Sequence, residues 1–372
     1  MDRLELFPHG GDYTGKYLDF SASLSPLGVP ASVRSALAAL AEGEGLASYP
    51  DPYCTELRRA IAAKEEVTEE AVLCGNGAAD LIHRTVRALQ PKTALILEPT
   101  FFEYEKALSE SGCDIRKYYL KENRNEFGNL CADSFGLKEE FLDALTPDLD
   151  LVFVCSPNNP TGRSIPEALM ERILKTAQEN GTIVFWDACF ADFCDLEDGA
   201  DRQAKSDAFL RRSVQAYPNL ILLKSFTKTY AIPGLRLGYL LCSDEEKTAY
   251  IAKWGAPWSV STAAQVAGLA ALKDETYLQR ARLYVSEEKL RVWLALLQLG
   301  VFCRRGDGNF LLIRTEREDL PKRLKDRGIL VRDCSNFDGL DAHYIRVAIR
   351  TRNENDQLLD ALWAELEGGE TP

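Results

Sequence analysis

Short apolar runs alternate with helical patterns over the first two thirds of the chain. The apolar runs are continuous rather than alternating in polarity, and they fall at 94–98, 149–155, 182–186 and 220–223. A strand that is apolar along its whole length is covered on both faces, as in a parallel sheet between helices. The segments between them follow a helical period, as do 31–42, 56–66 and 166–180. This alternation predicts an α/β large domain with a mainly parallel sheet.

The pattern changes after about residue 245. Long helical stretches fill 263–299, and strand-like runs follow at 310–314, 329–332 and 344–349. These elements predict a smaller α+β domain at the C-terminus. Residues 1–30 are irregular and are interrupted by glycine and proline. We therefore divide the chain into an N-terminal arm (1–30), a large domain (31–245) and a small domain (246–372).

Composition narrows the class of protein and its partners. The 372 residues suffice for about two domains, and a net charge of −13 argues against nucleic acid and anionic membranes as partners. No apolar run approaches the ~20 residues of a membrane span, and the first residues carry no secretion signal. The ten cysteines form no CxxC pair, and only three histidines are present. We therefore expect no metal site, and reduced thiols in a cytoplasmic protein.

One lysine stands out by its neighbours. Lys228 follows the apolar run 220–223, so it lies just past a strand end, where open α/β sheets place their ligands. Ser225 and Arg236 on either side offer a hydroxyl and a guanidinium to one phosphate. These three groups around a phosphate-bearing aldehyde are typical of a pyridoxal phosphate site, where the lysine forms an imine. Taken alone, the lysine is also typical of a solvated loop.

A glycine-rich turn at 75–80 leads into a helical pattern at 81–89. Glycines let the backbone approach an anion, and a helix N-terminus offers unpaired N–H groups, so the turn is a candidate phosphate cradle. It also half-resembles the dinucleotide fingerprint, which would make the protein a nucleotide-binding module without imine chemistry. Asp80 stands where that fingerprint has its third glycine.

Two further polar residues follow neighbouring strands. Pro160 restricts the backbone at Asn159 and leaves the amide side chain of Asn159 free to donate a hydrogen bond. Asp187 ends an apolar strand, where a carboxylate is costly unless a cation meets it. A protonated pyridine nitrogen is such a cation. A helix N-cap is the structural alternative for Asp187.

In this order, the motifs resemble those of the fold-type I pyridoxal-phosphate enzymes over nearly the whole chain. Within that group, the chain is most similar to threonine-phosphate decarboxylase of cobalamin biosynthesis, a relative of histidinol-phosphate aminotransferase. The narrower likeness rests on His9-Gly10-Gly11 and on the segments 19–22, 26–28, 49–51, 227–236, 257–260, 329–332 and 344–350.

The resemblance implies a role for each matched residue. Lys228 and Asp187 are the implied catalytic pair: the lysine holds the cofactor aldehyde and later carries a proton, and the carboxylate pairs with the pyridine nitrogen. Asn159 is implied to bond the phenolic oxygen of the ring, and Phe101 to stack on it. The other implied cofactor ligands are Gly77, Ala78, Ala79, Ser225, Arg236 and, from the second subunit of a homodimer, Tyr49.

The substrate ligands are also implied by the resemblance. They are Arg346 for the α-carboxylate, Arg332 and, from the N-terminal arm, His9 for a substrate phosphate, and Ser23. On residue chemistry alone, the two arginines could equally be solvated strand ends.

The chain departs from the family pattern in two places, the first at the cofactor and the second at the substrate. The usual Asp-Glu-Ala-Tyr or Asp-Glu-Ala-Phe reads Asp187-Ala188-Cys189-Phe190, and a phenylalanine cannot hydrogen-bond the phenolic oxygen. Serine replaces the asparagine of the decarboxylase pattern at three positions, Ser23, Ser25 and Ser261. A hydroxyl reaches less far than an amide, so we expect a reshaped or wider pocket there.

The implied reaction is decarboxylation of an O-phospho amino acid. The first candidate converts L-threonine O-3-phosphate to (R)-1-amino-2-propanol phosphate, and the second converts O-phosphoserine to ethanolamine phosphate. The alternative is an aminotransferase of the histidinol-phosphate type, in which Lys228 removes the α-proton instead. His9 and the segment 257–258 favour the decarboxylase, whereas the three serines weaken it.

Overall fold

The computed structural model describes residues 9–124, 126, 131, 133–194 and 200–366. Residues 1–8 of the predicted N-terminal arm lie outside that set. The described strands are β1 (Leu18–Asp19), β2 (Val72–Gly75), β3 (Thr93–Glu98), β4 (Asp114–Tyr119), β5 (Leu151–Cys155), β6 (Ile183–Asp187), β7 (Leu220–Ser225), β8 (Gly238–Leu241), β9 (Phe302–Arg304), β10 (Phe310–Arg314), β11 (Ile329–Leu330), β12 (Arg332–Asp333) and β13 (Tyr344–Ala348).

Helices separate most of these strands. The described α-helices are α1 (Ala31–Glu42), α2 (Thr55–Glu65), α3 (Gly77–Leu89), α4 (Glu103–Glu110), α5 (Glu167–Asn180), α6 (Ala200–Ala216), α7 (Phe226–Thr229), α8 (Glu245–Ala252), α9 (Thr262–Leu272), α10 (Glu275–Gln298), α11 (Leu320–Asp326) and α12 (Arg352–Leu366). None of the helices among the described residues is long and apolar enough to span a bilayer.

The large sheet has seven strands in the order β2-β8-β7-β6-β5-β3-β4. All neighbours are parallel except β8, which runs antiparallel to both β2 and β7. This confirms the predicted α/β class with a mainly parallel sheet. Because β5, β6 and β7 are adjacent and parallel, their carboxyl ends meet at one edge of the sheet.

Both faces of the sheet are covered, which explains why its strands are apolar throughout. On β7, Leu220 and Leu222 pack into one core cluster, and Ile221 and Leu223 pack into a second cluster across the sheet. All four side chains are fully buried. A strand of alternating polarity would place polar groups in one of these layers.

A second sheet lies in the C-terminal part, with four antiparallel strands in the order β12-β13-β10-β9. The N-terminal strand β1 does not join the large sheet. It pairs in parallel with β11, placing Leu18 opposite Ile329, and the N–H of Ala348 donates to the carbonyl of Phe20 at 2.9 Å. The bounds 1–30, 31–245 and 246–372 for the arm and the two domains remain a prediction.

Most predicted elements are present, with informative differences. The helix predicted at 81–89 begins four residues earlier, at Gly77, and the stretch at 263–299 is two helices, the second capped by the Asp274 carboxylate. The run at 329–332 is two short strands, β11 and β12. The pattern missed β1, β4, β8 and β9. All ten cysteines are free thiols, as expected from composition.

Candidate active site

A cavity of about 660 Å³ opens at the carboxyl ends of β5, β6 and β7. Cys155, Asp187 and Ser225, the last residues of these strands, all line it. The cavity brings together eleven residues that the sequence predicted for the site: His9, Ala78, Ala79, Phe101, Asn159, Asp187, Ser225, Lys228, Arg236, Arg332 and Arg346.

Lys228 lies in the one-turn helix α7, directly after β7. The hydroxyl of Ser225 caps this turn by accepting a hydrogen bond from the N–H of Thr227 at 3.2 Å, and the carbonyl of Lys228 accepts one from the N–H of Ser25 at 2.9 Å. Burial lowers the pKa of the Lys228 amine to about 8, and repulsion from Arg346 and Arg236 acts in the same direction. A substantial neutral fraction near neutral pH is what a nucleophilic lysine requires.

Asp187 is buried at the end of β6 and is held by two donors. The hydroxyl of Tyr104 donates to Oδ2 at 2.6 Å, and the backbone N–H of Cys189 donates to Oδ1 at 2.9 Å. Tyr104 is fully buried and stacks on Phe153 with ring centroids 4.8 Å apart. The N–H of Cys189 is the contact that an N-cap would make, but Asp187 also lines the cavity. Its fixed carboxylate can meet a cationic ring nitrogen there.

The start of α3 and Arg236 together form the candidate phosphate cradle. Ala78 and Ala79 belong to the first turn of this 13-residue helix, where backbone N–H groups have no intrahelical acceptor. Gly77 has a φ of +81°, and a Cβ built there would lie 2.7 Å from Nη2 of Arg236. The glycine therefore leaves the space that brings the guanidinium to the helix N-terminus.

Asn159 and Arg346 form a second fixed unit. A guanidinium nitrogen of Arg346 donates to the amide oxygen of Asn159, and the other donates to the carbonyl of Ser21 at 2.7 Å. The guanidinium lies over the ring of Phe310 at 5.1 Å. Burial lowers the pKa of Arg346 to about 10. Because the Asn159 oxygen is occupied, its amide nitrogen is the group left to donate to a ligand.

Phe101 forms an aromatic wall of the cavity together with the N-terminal segment. Its ring centroid lies 5.6 Å from that of His9 and 5.7 Å from that of Tyr104. The Nε2 atom of His9 lies at hydrogen-bond distance from the Glu103 carboxylate, 2.7 Å from Oε1. A predicted phosphate ligand thus already has a carboxylate partner, which the sequence did not indicate.

Arg332 occupies another wall, at the start of β12. It donates to the carbonyl of Asp333 and to the amide oxygen of Asn336, the latter at 2.7 Å, and it lies over the ring of Phe337 at 4.8 Å. Asn336 and Phe337 also line the cavity. These contacts place Arg332 at the cavity rather than at a solvated strand end.

The sequence profile of the family described as aminotransferase class I and II matches residues 15–362. The chain belongs to this family. A threonine-phosphate decarboxylase of Salmonella typhimurium is 40% identical over 354 residues, with 94% of this chain and 92% of the relative covered.

Solved structures of similar proteins share the fold. A histidinol-phosphate aminotransferase from Clostridium acetobutylicum superposes with a TM-score of 0.80 at 27% identity, and covers 94% of this chain and 99% of its own. An L-threonine-O-3-phosphate decarboxylase from Porphyromonas gingivalis has a TM-score of 0.76 at 25% identity, with the same coverage.

Several residues that the family resemblance singled out do not line the cavity. Tyr49 is 81% exposed and packs on Trp258, with ring centroids 4.7 Å apart. Ser23 is buried, and its hydroxyl has no hydrogen-bond partner among the described residues. Ser25 accepts a hydrogen bond from the hydroxyl of Tyr277 at 2.8 Å, and Ser261 caps α9. The geometry therefore gives Ser25 and Ser261 structural contacts instead of a place in the cavity wall.

The sequence analysis did not single out several cavity residues, among them Glu103, Tyr104, Lys106 and Asn336. A buried hydrogen-bond donor to Asp187 could have been expected from the sequence. Its identity could not, because Tyr104 lies 83 positions away from Asp187 in the chain. Glu103 and Lys106 look like ordinary polar positions of an amphipathic helix. Only the tertiary fold brings them to the cavity.

The residues present fit pyridoxal phosphate. The N-terminus of α3, Arg236 and Ser225 can bind its phosphate, and Lys228 can react with its aldehyde. Asp187 can pair with its ring nitrogen, and Phe101 can stack on the face of its ring. Over the described part of the chain, no group of three or more potential ligands could hold a metal ion.

Proposed function

We propose that this protein catalyses the pyridoxal phosphate-dependent decarboxylation of an O-phospho amino acid, O-phospho-L-threonine first and O-phospho-L-serine second. The observation that carries the proposal is the set of basic side chains in one cavity: Lys228, Arg346, Arg332 and His9. A binding site for a phosphorylated amino acid needs a lysine near the substrate amine, a cation for the α-carboxylate and a further basic group for the phosphate. The 40% identity to a threonine-phosphate decarboxylase supports the same substrate.

Pyridoxal phosphate supplies, when bound, an aldehyde for the substrate amine and a ring that accepts the electron pair of a breaking bond at Cα. Arg346 binds the α-carboxylate, and its bonds to Asn159 and to the Ser21 carbonyl fix the direction in which that carboxylate lies. The carboxylate leaves as carbon dioxide, and Lys228 delivers a proton to Cα. The products are carbon dioxide and an aminoalkyl phosphate.

The second candidate is an aminotransferase that acts on histidinol phosphate. The likeness to the Clostridium acetobutylicum histidinol-phosphate aminotransferase, with its TM-score of 0.80, supports it. The same cofactor residues serve both reactions. In this alternative Lys228 takes the α-proton. Histidinol phosphate offers a phosphate to Arg332 and His9 but no α-carboxylate to Arg346.

The proposed active unit is a cytoplasmic homodimer with shared active sites. Tyr49 is aromatic, exposed and outside its own cavity, as expected for a residue that serves a neighbouring subunit. The ten free thiols suit a reducing compartment.

The proposal is tested by incubating the reconstituted enzyme separately with O-phospho-L-threonine, with O-phospho-L-serine, and with L-histidinol phosphate plus 2-oxoglutarate. We expect carbon dioxide with aminopropanol phosphate or ethanolamine phosphate, and none from Lys228→Ala. The ratio of the two amines reports how well the cavity accepts the methyl group that distinguishes the two substrates. Glutamate without carbon dioxide would overturn the decarboxylase in favour of the aminotransferase.

A further inference from the structure

Glu103 joins two histidines at the edge of the cavity. This first residue of α4 has an almost fully buried side chain, with Oε1 2.7 Å from Nε2 of His9 and Oε2 2.7 Å from Nε2 of His83. His83 belongs to α3, the helix that contributes to the candidate phosphate cradle. The carboxylate of Glu103 thus connects the N-terminal segment to α3 and α4, two helices that pack against the large sheet.

The two contacts define which ring nitrogens carry hydrogen. Bonds from His83 and His9 hold the pKa of Glu103 well below its ordinary range, so the carboxylate is ionised and only accepts. Both Nε2 atoms must therefore donate. Nδ1 of His83 lies 3.3 Å from a carboxylate oxygen of Glu110, which occupies its second nitrogen. Nδ1 of His9 is left as the nitrogen that a cavity ligand can use.

His9 depends on Glu103 for its position. Within the described residues, Glu103 is the only hydrogen-bond partner of the His9 ring. The flanking backbone is held close to Ser21: the N–H of Gly11 donates to its hydroxyl at 2.7 Å, and a Cβ on Gly10 would lie 2.6 Å from its carbonyl oxygen. The backbone contacts bring the segment to the cavity, but they do not orient the imidazole.

The ammonium group of Lys106 offsets the negative charge of Glu103. Lys106 lies three residues further along α4, lines the same cavity, and is one of the groups that lower the pKa of Glu103. The described residues include no hydrogen-bond or ion-pair partner for its ammonium. A dianion beside His9 therefore meets Lys106 as well as the carboxylate, and it is not repelled by an isolated negative charge.

We propose that Glu103 is a positioning residue for substrate binding: it accepts the Nε2–H of His9 and so holds that ring with Nδ1 facing the phosphate of the substrate, where Nδ1 and a phosphate oxygen share one proton. This inference rests on the proposed function for the identity of the substrate. Glu103 does not touch the reacting atoms. Its loss weakens binding of the phosphorylated substrate more than it slows the chemical step.

The first test compares Glu103→Gln with Glu105→Gln, a matched control on the same helix whose carboxylate pairs with Lys117. We expect Glu103→Gln to raise KM for O-phospho-L-threonine roughly 10-fold or more with kcat nearly unchanged. The control should keep wild-type values. A lower kcat with an unchanged KM in Glu103→Gln would overturn the proposal.

The second test needs no turnover, because the chain has only three histidines. In protein labelled with nitrogen-15 histidine, NMR should give Nε2-protonated signals for His9 and His83. Adding inorganic phosphate should shift the His9 signals in the wild type but not in Glu103→Gln. His343, whose Nδ1 lies 2.9 Å from the carbonyl of Thr315, reports whether the fold is intact.

The outcomes separate this inference from the proposed function. Wild-type His9 signals in Glu103→Gln, or no phosphate shift in the wild type, would overturn the role of Glu103. A phosphate shift at His9 in an enzyme that decarboxylates neither phospho amino acid would support Glu103 and overturn the proposed substrate. Loss of the His343 signal in Glu103→Gln would mean that this variant does not fold, and Glu103→Asp then replaces it. Glu103→Asp keeps the negative charge on a shorter side chain, and it should still raise KM and shift the NMR signals of His9.

Discussion

Lys228 shows how the environment of one side chain sets its chemistry. Its amine is enclosed by protein and faces two guanidinium groups, and both effects disfavour the charged form. Because the pKa in the folded protein lies below the ordinary value, the neutral amine is populated at a lower pH than in a free lysine. By linkage, this lysine favours folding above about pH 10.5, and that contribution is lost as the pH falls through about 8.

The apoprotein should therefore form its imine with pyridoxal phosphate faster as the pH rises, with a midpoint near the Lys228 pKa of about 8. The rate is followed by the visible absorbance of the product. Of the two guanidinium groups, that of Arg346 lowers the pKa of Lys228 more, so Arg346→Gln should move the midpoint to higher pH. A midpoint near the ordinary lysine value in the wild type would contradict the role of burial.

Tyr104 makes a second residue-scale prediction. Tyr104→Phe removes the 2.6 Å hydrogen bond to Asp187, leaving a buried carboxylate with one donor fewer. We expect the dissociation constant for pyridoxal phosphate to rise roughly 10-fold, a loss of about 1.4 kcal/mol. Equilibrium titration by absorbance measures it.

Tyr118→Phe is the matched control, since Tyr118 packs edge-on against Phe141 and makes no hydrogen bond among the described contacts. Equal losses in both variants would mean that the effect is general and not specific to the Asp187 contact.

The residue chemistry of the cofactor site was predictable, but its supporting contacts were not. Lys228, Asp187 and Asn159 follow strand ends that the apolar pattern locates. Glu103 and Tyr104 act through partners far away in the chain, and nothing in their local sequence distinguishes them from surface and core positions of a short helix. Ser25 and Ser261 were expected to reshape the pocket, yet they contact Tyr277 and cap α9.

At the scale of elements, predictability follows the degree of burial. Strands β3, β5, β6 and β7 are buried on both faces and read as continuous apolar runs. Strand β4 lies at the sheet edge and has the mixed sequence Asp114–Tyr119, so no apolar run marks it. The helix α3 begins before its apolar period, because its first turn faces the cavity instead of the core.

The start of α3 can be tested by adding one methyl group. Gly77→Ala places a Cβ 2.7 Å from the Arg236 guanidinium, so the arginine must move from the cradle. We expect weaker binding of pyridoxal phosphate but unchanged binding of pyridoxal, which has no phosphate. Dissociation constants for both ligands measure the effect.

Gly181→Ala is the control for backbone strain. Gly181 has a similar φ of +77°, but a Cβ there would meet no atom within 4 Å. Both variants should lose roughly 1 kcal/mol of stability, whereas only Gly77→Ala should lose cofactor affinity. An equal loss of pyridoxal binding in Gly77→Ala would point to a collapsed site instead.

At the scale of the whole molecule, the proposed homodimer gives a complementation test. Lys228→Ala lacks the reacting amine, and we expect Tyr49→Phe to be impaired because the Tyr49 hydroxyl is proposed to serve the neighbouring site. In a mixed dimer, one site combines a normal Lys228 with a normal Tyr49. Random mixing should therefore restore about a quarter of wild-type turnover, since half of the dimers are hybrids with one intact site.

Turnover after unfolding and refolding the two variants together measures the restoration, and each variant refolded alone is the control. Activity no greater than the average of the two separate variants would mean that Tyr49 does not act across subunits.

The pairing of β1 with β11 has a consequence for how the chain is made. Leu18 and Ile329 meet although about 310 residues lie between them. At a synthesis rate of about 5–20 residues per second, the first strand leaves the ribosome tens of seconds before its partner exists. The parallel sheet can form meanwhile, because its last strand ends at Leu241. Strand β1 therefore stays without its partner until β11 has been synthesised, so the wall of the cavity that includes Arg332 is completed after the large sheet.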